Sequence, residues 1–144
     1  MPDRAESPTG ATEKCGVVGV SLADRDVARP IYYAMYALQH RGQESAGIAT
    51  HDGFQQHSHV ERGLVGDAID EAALEDLRGA AGIGHVRYPT SGGLNACCAQ
   101  PFAVSFKSGS LGLAHNGNLV NTDELRAELA AAGHAFTSDG DTEV

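Results

Sequence analysis

Cys15 and Gly16 open the first apolar stretch of the chain, directly after a polar leader. A cysteine whose own α-amino group is free carries a base beside its thiol, since that amine has a pKa of roughly 7.7–8.0 and a thiol one of about 8.5. The amine can accept the thiol proton, and the thiolate can then attack an amide carbon. Because Lys14 blocks this amine, we predict that the chemistry requires cleavage of the Lys14–Cys15 bond. Taken alone, such a cysteine is more often a small buried apolar residue.

Three further groups of polar residues lie where elements are predicted to end. They are residues 39–47, which join a helix to a strand, residues 84–90 at the end of another strand, and residues 115–118 at the end of a third. Taken alone, Arg87 is typical of a surface or ion-pair residue, and Asn116-Gly117 is a turn signal. We predict that His85 and His115 form hydrogen bonds at strand ends rather than binding a metal or acting as bases.

Apolar periodicity predicts the elements that position these groups. β-branched runs indicate buried strands, apolar residues three and four apart indicate helices, and Asp-Gly between two strands indicates a hairpin. The strands outnumber the helices and several are joined as hairpins, which favours mainly antiparallel sheets. In chain order we predict first a strand at 16–22 and a helix with Pro30 in its first turn that ends between Gln39 and Gly42. Strands at 47–50 and 54–60 follow around an Asp52-Gly53 hairpin, and then a helix at 69–77 and a strand at 81–86. The last elements are strands at 102–106 and 111–114 around a turn at 107–110, and a helix capped by Asn121 and Glu124 and stopped by Gly133.

Length and composition restrict the class of protein. At 144 residues the chain is long enough for one domain with a core and too short for two ordinary ones. Its formal charge of −9 disfavours a nucleic-acid partner, which requires a basic face.

No apolar run approaches the ~18–20 residues that span a bilayer. Residues 1–14 lack the apolar stretch of a secretory signal, so we predict a cytoplasmic protein with no membrane partner. An acidic surface with only two lysines also fits a protein adapted to high salt.

The order of the motifs carries a resemblance. Cys-Gly before an apolar strand, Arg-Gly…Ser-Ala-Gly-Ile, Gly-His-Val-Arg-Tyr-Pro-Thr, His-Asn-Gly-Asn and Ser-Asp-Gly-Asp-Thr-Glu follow one another from Cys15 to residue 143. This pattern resembles the class II glutamine amidotransferases, which are N-terminal-nucleophile hydrolases. The resemblance implies an α+β fold, an αββα sandwich of mainly antiparallel sheets. Residues 39–45 (Gln-His-Arg-Gly-Gln-Glu-Ser) are similar to the amidophosphoribosyltransferases, which start purine synthesis.

The resemblance implies roles for seven residues in the hydrolysis of glutamine through a γ-glutamyl thioester. They are Cys15 as the nucleophile, the Asn116 side chain and the Gly117 backbone N–H as the oxyanion hole, Arg87 and Thr90 on the α-carboxylate of glutamine, Asp141 on its α-ammonium, and Arg41 as a buried structural arginine near the nucleophile. The family has Ser-Asp-Thr-Glu or Ser-Asp-Ser-Glu at the last motif, and this chain has two additional residues there. Asp139 therefore stays open as the alternative, although Thr-Glu directly follows Asp141.

The same resemblance predicts partners and an organisation of the chain. Glutamine is the expected substrate here, whereas phosphoribosyl pyrophosphate, magnesium and, in some members, an iron–sulfur cluster belong to a following domain. A homo-oligomer is expected for the full-length protein. Residues 1–14 are predicted to be a propeptide or disordered leader, and residues 15–144 an amidotransferase domain whose C-terminal part is missing. No metal site is predicted in this segment, because the spacing of Cys97 and Cys98 does not match a zinc motif.

Two other functions stay open from the sequence. The first is another class II amidotransferase, such as a hexosamine-phosphate synthase or a glutamate synthase subunit, against which the Gln-His-Arg-Gly-Gln-Glu-Ser segment argues. The second is a non-enzymatic module for protein interaction or metal binding, which would depend on Cys97 and Cys98.

Overall fold

The computed structural model describes residues 15–88 and 99–144. Two single turns of 3-10 helix, Gln39–Arg41 and Asp141–Glu143, accompany the regular elements in these ranges. The elements are, in chain order, strand β1 (Gly16–Ser21), helix α1 (Ala28–Ala37), strands β2 (Ser45–His51) and β3 (Gln56–Arg62), helices α2 (Val65–Ala68) and α3 (Glu71–Asp76), strands β4 (Ala81–Arg87), β5 (Phe102–Phe106) and β6 (Gly109–Leu113), and helix α4 (Thr122–Ala131).

Four strands form one antiparallel sheet in the order β1-β4-β2-β3. The register places Gly16 opposite Val86 and Ser45 opposite Arg87. Ser45 is also opposite Arg62 on the outer strand β3. Because neighbouring antiparallel strands run in opposite directions, the start of β1, the start of β2 and the end of β4 all lie at one edge of this sheet.

Helix α1 covers the four-stranded sheet, packing against β1, β2 and β4. Its residues Ile31 and Met35 are fully buried, at the spacing that places both on one face of a helix. Val65 and Leu77 close the same core from the segment after β3. The predicted helix is confirmed here, with Pro30 in its first turn, although it ends at Ala37, and a 3-10 turn stands where the end was predicted.

The helix predicted at residues 69–77 is present as α3 but is shorter, since it begins at Glu71 and ends at Asp76. A further short helix, α2, precedes it and was not predicted, and Ile69 lies buried between the two. Asp70 separates the two, because its side-chain Oδ1 accepts a hydrogen bond from the N–H of Ala73 at 2.8 Å and caps α3. Apolar periodicity does not take this local hydrogen bond into account, so it placed the start of the helix too early.

Strands β5 and β6 form a separate two-stranded antiparallel sheet, with Phe102 opposite Leu113. The predicted hairpin is confirmed, although β6 already begins at Gly109 and the turn is shorter than predicted. Helix α4 follows and has no buried residue. Gly133 has φ +94°, a left-handed conformation suited to glycine, and it ends α4 as predicted.

The predicted side-chain cap of α4 is wrong. Asn121 precedes the helix, but its side chain makes no capping hydrogen bond. Its backbone has φ −117° and ψ 30°, outside the extended region that aims a capping side chain at the first N–H groups. The hydroxyl of Thr122 instead donates to the Leu119 carbonyl at 2.9 Å.

These elements confirm the predicted α+β class with antiparallel sheets. None of the helices in residues 15–88 and 99–144 has the length and apolar character to cross a membrane. The segment predicted to be a leader, residues 1–14, lies outside the described residues.

Candidate active site

Cys15 lies at the edge of the four-stranded sheet, one residue before β1. Its carbonyl oxygen accepts two side-chain hydrogen bonds, from Arg41 Nε at 3.0 Å and from Asn116 Nδ2 at 3.1 Å. The two donors come from segments 26 and 101 residues away along the chain. Three of the predicted site residues are therefore in direct contact, and the Cys15 backbone is fixed from two sides.

The turn that carries Arg41 is anchored by Gln39. The side-chain Oε1 of Gln39 accepts a hydrogen bond from the Val65 N–H at 2.6 Å, and its Nε2 donates to the Gly42 carbonyl. Gly42 in turn lies directly on the end of β4, where a Cβ atom would come within 2.6 Å of the Arg87 backbone. Only glycine fits at this point, so the segment after α1 is held tightly against the strand that ends in Arg87.

Arg87 ends β4 beside this segment. Its Nε lies 3.4 Å from Glu44 Oε2, and the Glu44 N–H donates to the Arg87 carbonyl at 2.9 Å. Arg62 Nη2 approaches the other carboxylate oxygen of Glu44 at 3.9 Å. The Glu44 and Arg87 side chains are 13% and 15% exposed, so the pair is shielded from solvent. The contact at Oε2 is an ion pair without hydrogen-bond geometry, and it lies on the ε-nitrogen side of the guanidinium. The paired terminal nitrogens can therefore face a second anion.

Gly117 packs against the ring of His115. A Cβ atom at Gly117 would lie 2.6 Å from His115 Nε2, so any side chain here would displace the ring. The His115 N–H donates to Gln100 Oε1 at 2.6 Å, which ties the segment to the start of β5. The turn that presents Asn116 is thus held from within and from the hairpin sheet.

Asp141 lies against the same segment. Its Oδ2 accepts a hydrogen bond from the Leu119 N–H at 2.8 Å and lies 3.7 Å from His115 Nδ1. Asp139 is exposed and forms no hydrogen bond or ion pair with residues 15–88 or 99–144. Of the two aspartates left open by the sequence, Asp141 is the one in contact with the segment that carries Asn116 and Gly117.

His85 differs from its prediction. It is fully buried in β4, and neither ring nitrogen has a hydrogen-bond partner of normal geometry in the described part of the chain. Burial lowers the pKa of His85 to about 4, although the backbone of His115 offsets part of this shift. The imidazole is therefore neutral at neutral pH and fills space behind the site, because a charged ring would be poorly solvated there.

The sequence profile of a family described as "Glutamine amidotransferase domain" matches residues 70–144, just over half of the chain. The chain belongs to the glutamine amidotransferase domain family. It is 52% identical over 131 residues to the amidophosphoribosyltransferase of Methanocaldococcus jannaschii, covering 90% of this chain and 28% of that protein. The enzyme of the same name from Methanothermobacter thermautotrophicus is 50% identical over 134 residues, covering 92% and 28%. The chain thus spans about 28% of the length of these relatives.

Solved structures agree with the family. The glutamine phosphoribosylpyrophosphate amidotransferase of Bacillus subtilis, in complex with ADP and GMP, superposes with a TM-score of 0.80 at 39% identity. The match covers 88% of this chain and 27% of that one. A structure described as the allosteric regulatory enzyme of purine biosynthesis gives a TM-score of 0.81 at 40% identity. The predicted resemblance and the predicted fold are confirmed.

Within this amidotransferase domain, some predicted residues stay outside the described ranges. Thr90, predicted on the glutamine carboxylate, lies there, and so do Cys97 and Cys98. Residues 15–88 and 99–144 contain no group of three or more His, Cys, Asp or Glu side chains placed to hold a metal ion. No direct hydrogen bond or ion pair between described residues joins Arg87 or Asp141 to Cys15. Arg87 lies against Gly42, the residue after Arg41, and Asp141 contacts Leu119, three residues after Asn116.

Three residues that support the candidate site were not predicted from the sequence. Glu44 pairs with Arg87, Glu143 holds the loop at residues 137–143, and Arg126 reaches that loop from α4. The Glu143 carboxylate accepts hydrogen bonds from the backbone and hydroxyl groups of Thr137 and Ser138, all at 2.7–2.8 Å. Two of the three lie inside quoted motifs, which is a usable signal, whereas nothing local marks Arg126.

Proposed function

We propose that this chain hydrolyses the side-chain amide of glutamine at Cys15, as the glutaminase part of an amidophosphoribosyltransferase. The observation that carries the proposal is the convergence of Arg41 and Asn116 on the Cys15 carbonyl. That contact brings a cysteine at the edge of a sheet next to the Asn-Gly pair that can bind an oxyanion. The family and the names of its relatives support glutamine as the substrate and hydrolysis of its amide as the reaction.

The proposed reaction needs the free α-amine of Cys15, and hence cleavage of the Lys14–Cys15 bond. The amine takes the proton of the thiol, and the thiolate sulfur forms a bond with the amide carbon of glutamine. The carbonyl oxygen becomes an oxyanion that the Asn116 side chain and the Gly117 N–H can stabilise. The Asn116 amide has two N–H groups, of which one is used on the Cys15 carbonyl, so one is available.

The tetrahedral intermediate then breaks its carbon–nitrogen bond. The protonated α-amine returns its proton to the leaving nitrogen, so that ammonia departs and a γ-glutamyl thioester remains. Water adds to the thioester carbon, the carbon–sulfur bond breaks, and the products are glutamate and the regenerated thiol. The protons that move start on the Cys15 thiol and on water, and they end on ammonia, on glutamate and on the regenerated thiol.

Recognition of glutamine uses its two charged ends. Arg87 carries a guanidinium whose ε nitrogen is engaged by Glu44, and its two terminal nitrogens match the two oxygens of an α-carboxylate. Asp141 supplies a negative charge for the α-ammonium from the opposite segment, next to Leu119. Placing one charge of each sign selects an amino acid over an amide that lacks either group.

The ammonia is proposed to displace pyrophosphate from phosphoribosyl pyrophosphate and give phosphoribosylamine. This step belongs to the sequence that the relatives have beyond the matched 28%. Magnesium, which would accompany the pyrophosphate group, and any iron–sulfur cluster are proposed for that same part of the protein. No step at Cys15 requires them.

The proposal is tested with the full-length protein, comparing wild type with Cys15→Ala. Wild type should release glutamate from glutamine and lack residues 1–14 by intact mass, whereas Cys15→Ala should release none. Ammonium salts supplied directly should still support phosphoribosylamine formation by Cys15→Ala, because the variant loses only the source of ammonia. Equal glutamate release by the two proteins would refute the role of Cys15, and active protein that retains residues 1–14 would refute the cleavage.

A further inference from the structure

A long side chain from helix α4 reaches the loop at residues 137–143, which carries Asp141. Arg126, on helix α4, donates from Nη1 to the Ser138 carbonyl and from Nη2 to the Gly140 carbonyl, both at 2.9 Å. The two acceptors are two residues apart in the chain. A single planar group therefore holds the carbonyls of the two residues on either side of Asp139, and the second of them, Gly140, directly precedes Asp141.

The guanidinium of Arg126 is itself fixed. Its Cζ lies over the Phe136 ring, 4.4 Å from the centroid, in a cation–π contact. This contact restricts the position of the group from which the two N–H donors reach the loop. Arginine meets both requirements, whereas the single ammonium of lysine cannot donate to two separated carbonyls in a fixed fork.

The consequence falls on Asp141. The Gly140 carbonyl belongs to the peptide that enters Asp141, so its position sets the backbone from which the carboxylate projects. On its other side the carboxylate is fixed by the Leu119 N–H. Loss of Arg126 leaves that contact, and the Gly140 carbonyl still accepts the Glu143 N–H at 3.4 Å. It removes the link between the loop and helix α4, so that the carboxylate can move relative to Arg87, which is held by a different part of the chain.

We propose that Arg126 is a positioning residue that sets the recognition of the glutamine α-ammonium by Asp141. The inference rests on the proposed function and adds to it a residue that touches neither substrate nor nucleophile. Arg126 acts on substrate binding and on the preference for an α-amino substrate. The thioester chemistry at Cys15 depends on the Asn116 segment and is expected to change little.

A purely structural role predicts a different result. If Arg126 only supported the packing of helix α4, its loss would lower the amount of active enzyme and hence the apparent kcat. Helix α4 has no buried residue that could hold it in place instead. A positioning role raises KM at nearly constant kcat, since the interaction with the ammonium is the same in the ground state and the transition state. The ratio of kcat/KM for glutamine to that for glutaramate, which is glutamine without its α-amine, isolates the ammonium contact.

The test uses the full-length protein with Arg126→Ala, Arg126→Lys and, as a matched control on an exposed part of the same helix, Glu128→Ala. In Arg126→Ala we expect KM for glutamine to rise about tenfold or more with kcat within about threefold, and the preference for glutamine over glutaramate to fall by a similar factor. Arg126→Lys should recover only part of the preference, and Glu128→Ala should behave as wild type. Arg126→Lys keeps the test valid if the alanine variant does not fold.

The outcomes separate the two proposals. Wild type that releases glutamate through Cys15, together with Arg126 variants that keep both the wild-type KM and the wild-type preference, would overturn the role of Arg126 alone. A fall in kcat at unchanged preference would do the same, because it indicates general damage. Wild type without Cys15-dependent glutamate release would overturn the proposed function and this inference with it.

Discussion

The two sides of the proposed active site, the nucleophile side around Cys15 and the ammonium side around Asp141, are stabilised by different forces. On the nucleophile side, Cys15 stands at the edge of a four-stranded sheet whose face is covered by Ile31 and Met35, both fully buried. On the ammonium side, Asp141 stands on a loop beside α4, a helix with no buried residue. That loop is held by the polar contacts of Arg126 and Glu143.

This difference separates stability from substrate recognition. Burial of apolar surface is non-directional and is shared among many contacts, so the nucleophile side should be lost only when the core itself opens. Hydrogen bonds are directional and few, so a single substitution on the ammonium side can misplace Asp141 while the sheet stays folded. Four substitutions test whether the two sides are separable in this way.

The largest effect is expected from the core of the nucleophile side. Ile31→Ala removes a fully buried side chain between α1 and the sheet, and it should lower the local stability of β4 by about 2–5 kcal/mol. Leu125→Ala on α4, where the side chain is only half-buried, should leave β4 unchanged. Amide hydrogen exchange of β4 peptides in the full-length protein measures both. Equal losses in β4 from the two variants would show that the two sides share one core.

The next effect concerns the catalytic rate. Asn116→Ala removes the side-chain donor proposed for the oxyanion and the contact to the Cys15 carbonyl, so kcat for glutamine hydrolysis should fall ~10²–10³-fold, or ~2.7–4 kcal/mol of barrier. KM should change much less, since an oxyanion exists only after attack. Asn121→Ala is the matched control, because the Asn121 side chain makes no capping bond. A kcat for Asn116→Ala close to that of the control would exclude the oxyanion role.

A smaller effect distinguishes the two aspartates of the loop. Asp141→Asn keeps the size of the side chain and removes its charge, so KM for glutamine should rise about tenfold or more. Asp139→Asn should leave KM unchanged, because the exposed Asp139 lacks the contact to Leu119. Steady-state glutaminase assays of the two variants decide the point. The reverse ranking would assign the ammonium to Asp139 and weaken the case for Arg126.

Much of the nucleophile side could be predicted from the sequence, because its elements follow apolar patterns. The β-branched run at Gly16–Ser21 and the helical spacing of Ile31 and Met35 predicted β1 and α1, and the Asp52-Gly53 turn marked the β2–β3 hairpin. The failures came from local polar competition. The carboxylate of Asp70 starts a new helix inside an apolar pattern, and the backbone at Asn121 turns its side chain away from the helix it precedes.

The supporting residues of the site could not be predicted for a different reason. Glu44 is paired with Arg87 only because the register of β2 and β4 brings the two together. Arg126 donates to backbone carbonyls, and every residue has a carbonyl, so no residue type marks the acceptor in the sequence. Motifs indicate which groups carry the chemistry, whereas the groups that orient them become visible only once distant segments are placed together.

The smallest effect is a pH dependence of the ammonium side. Burial acts to raise the pKa of Glu143, but the hydrogen bonds from Thr137 and Ser138 outweigh it and lower the pKa to about 2 from its usual 4.5. A carboxylate with a depressed pKa stabilises the folded loop fully above pH 4.5, and this contribution disappears as the pH falls from 4.5 to about 2.

Glu143→Gln tests this dependence, since an amide can accept on one side only. Near neutral pH the variant should lower the local stability of residues 137–143 by about 1 kcal/mol, while β4 should not change. The difference between wild type and variant should shrink as the pH falls through the same window. Amide exchange of both proteins at each pH measures it, because the intrinsic effect of pH on exchange cancels in the comparison. A constant difference down to pH 2 would mean that Glu143 is not held in its charged form, and a change in β4 would mean that the two sides of the site are not independent.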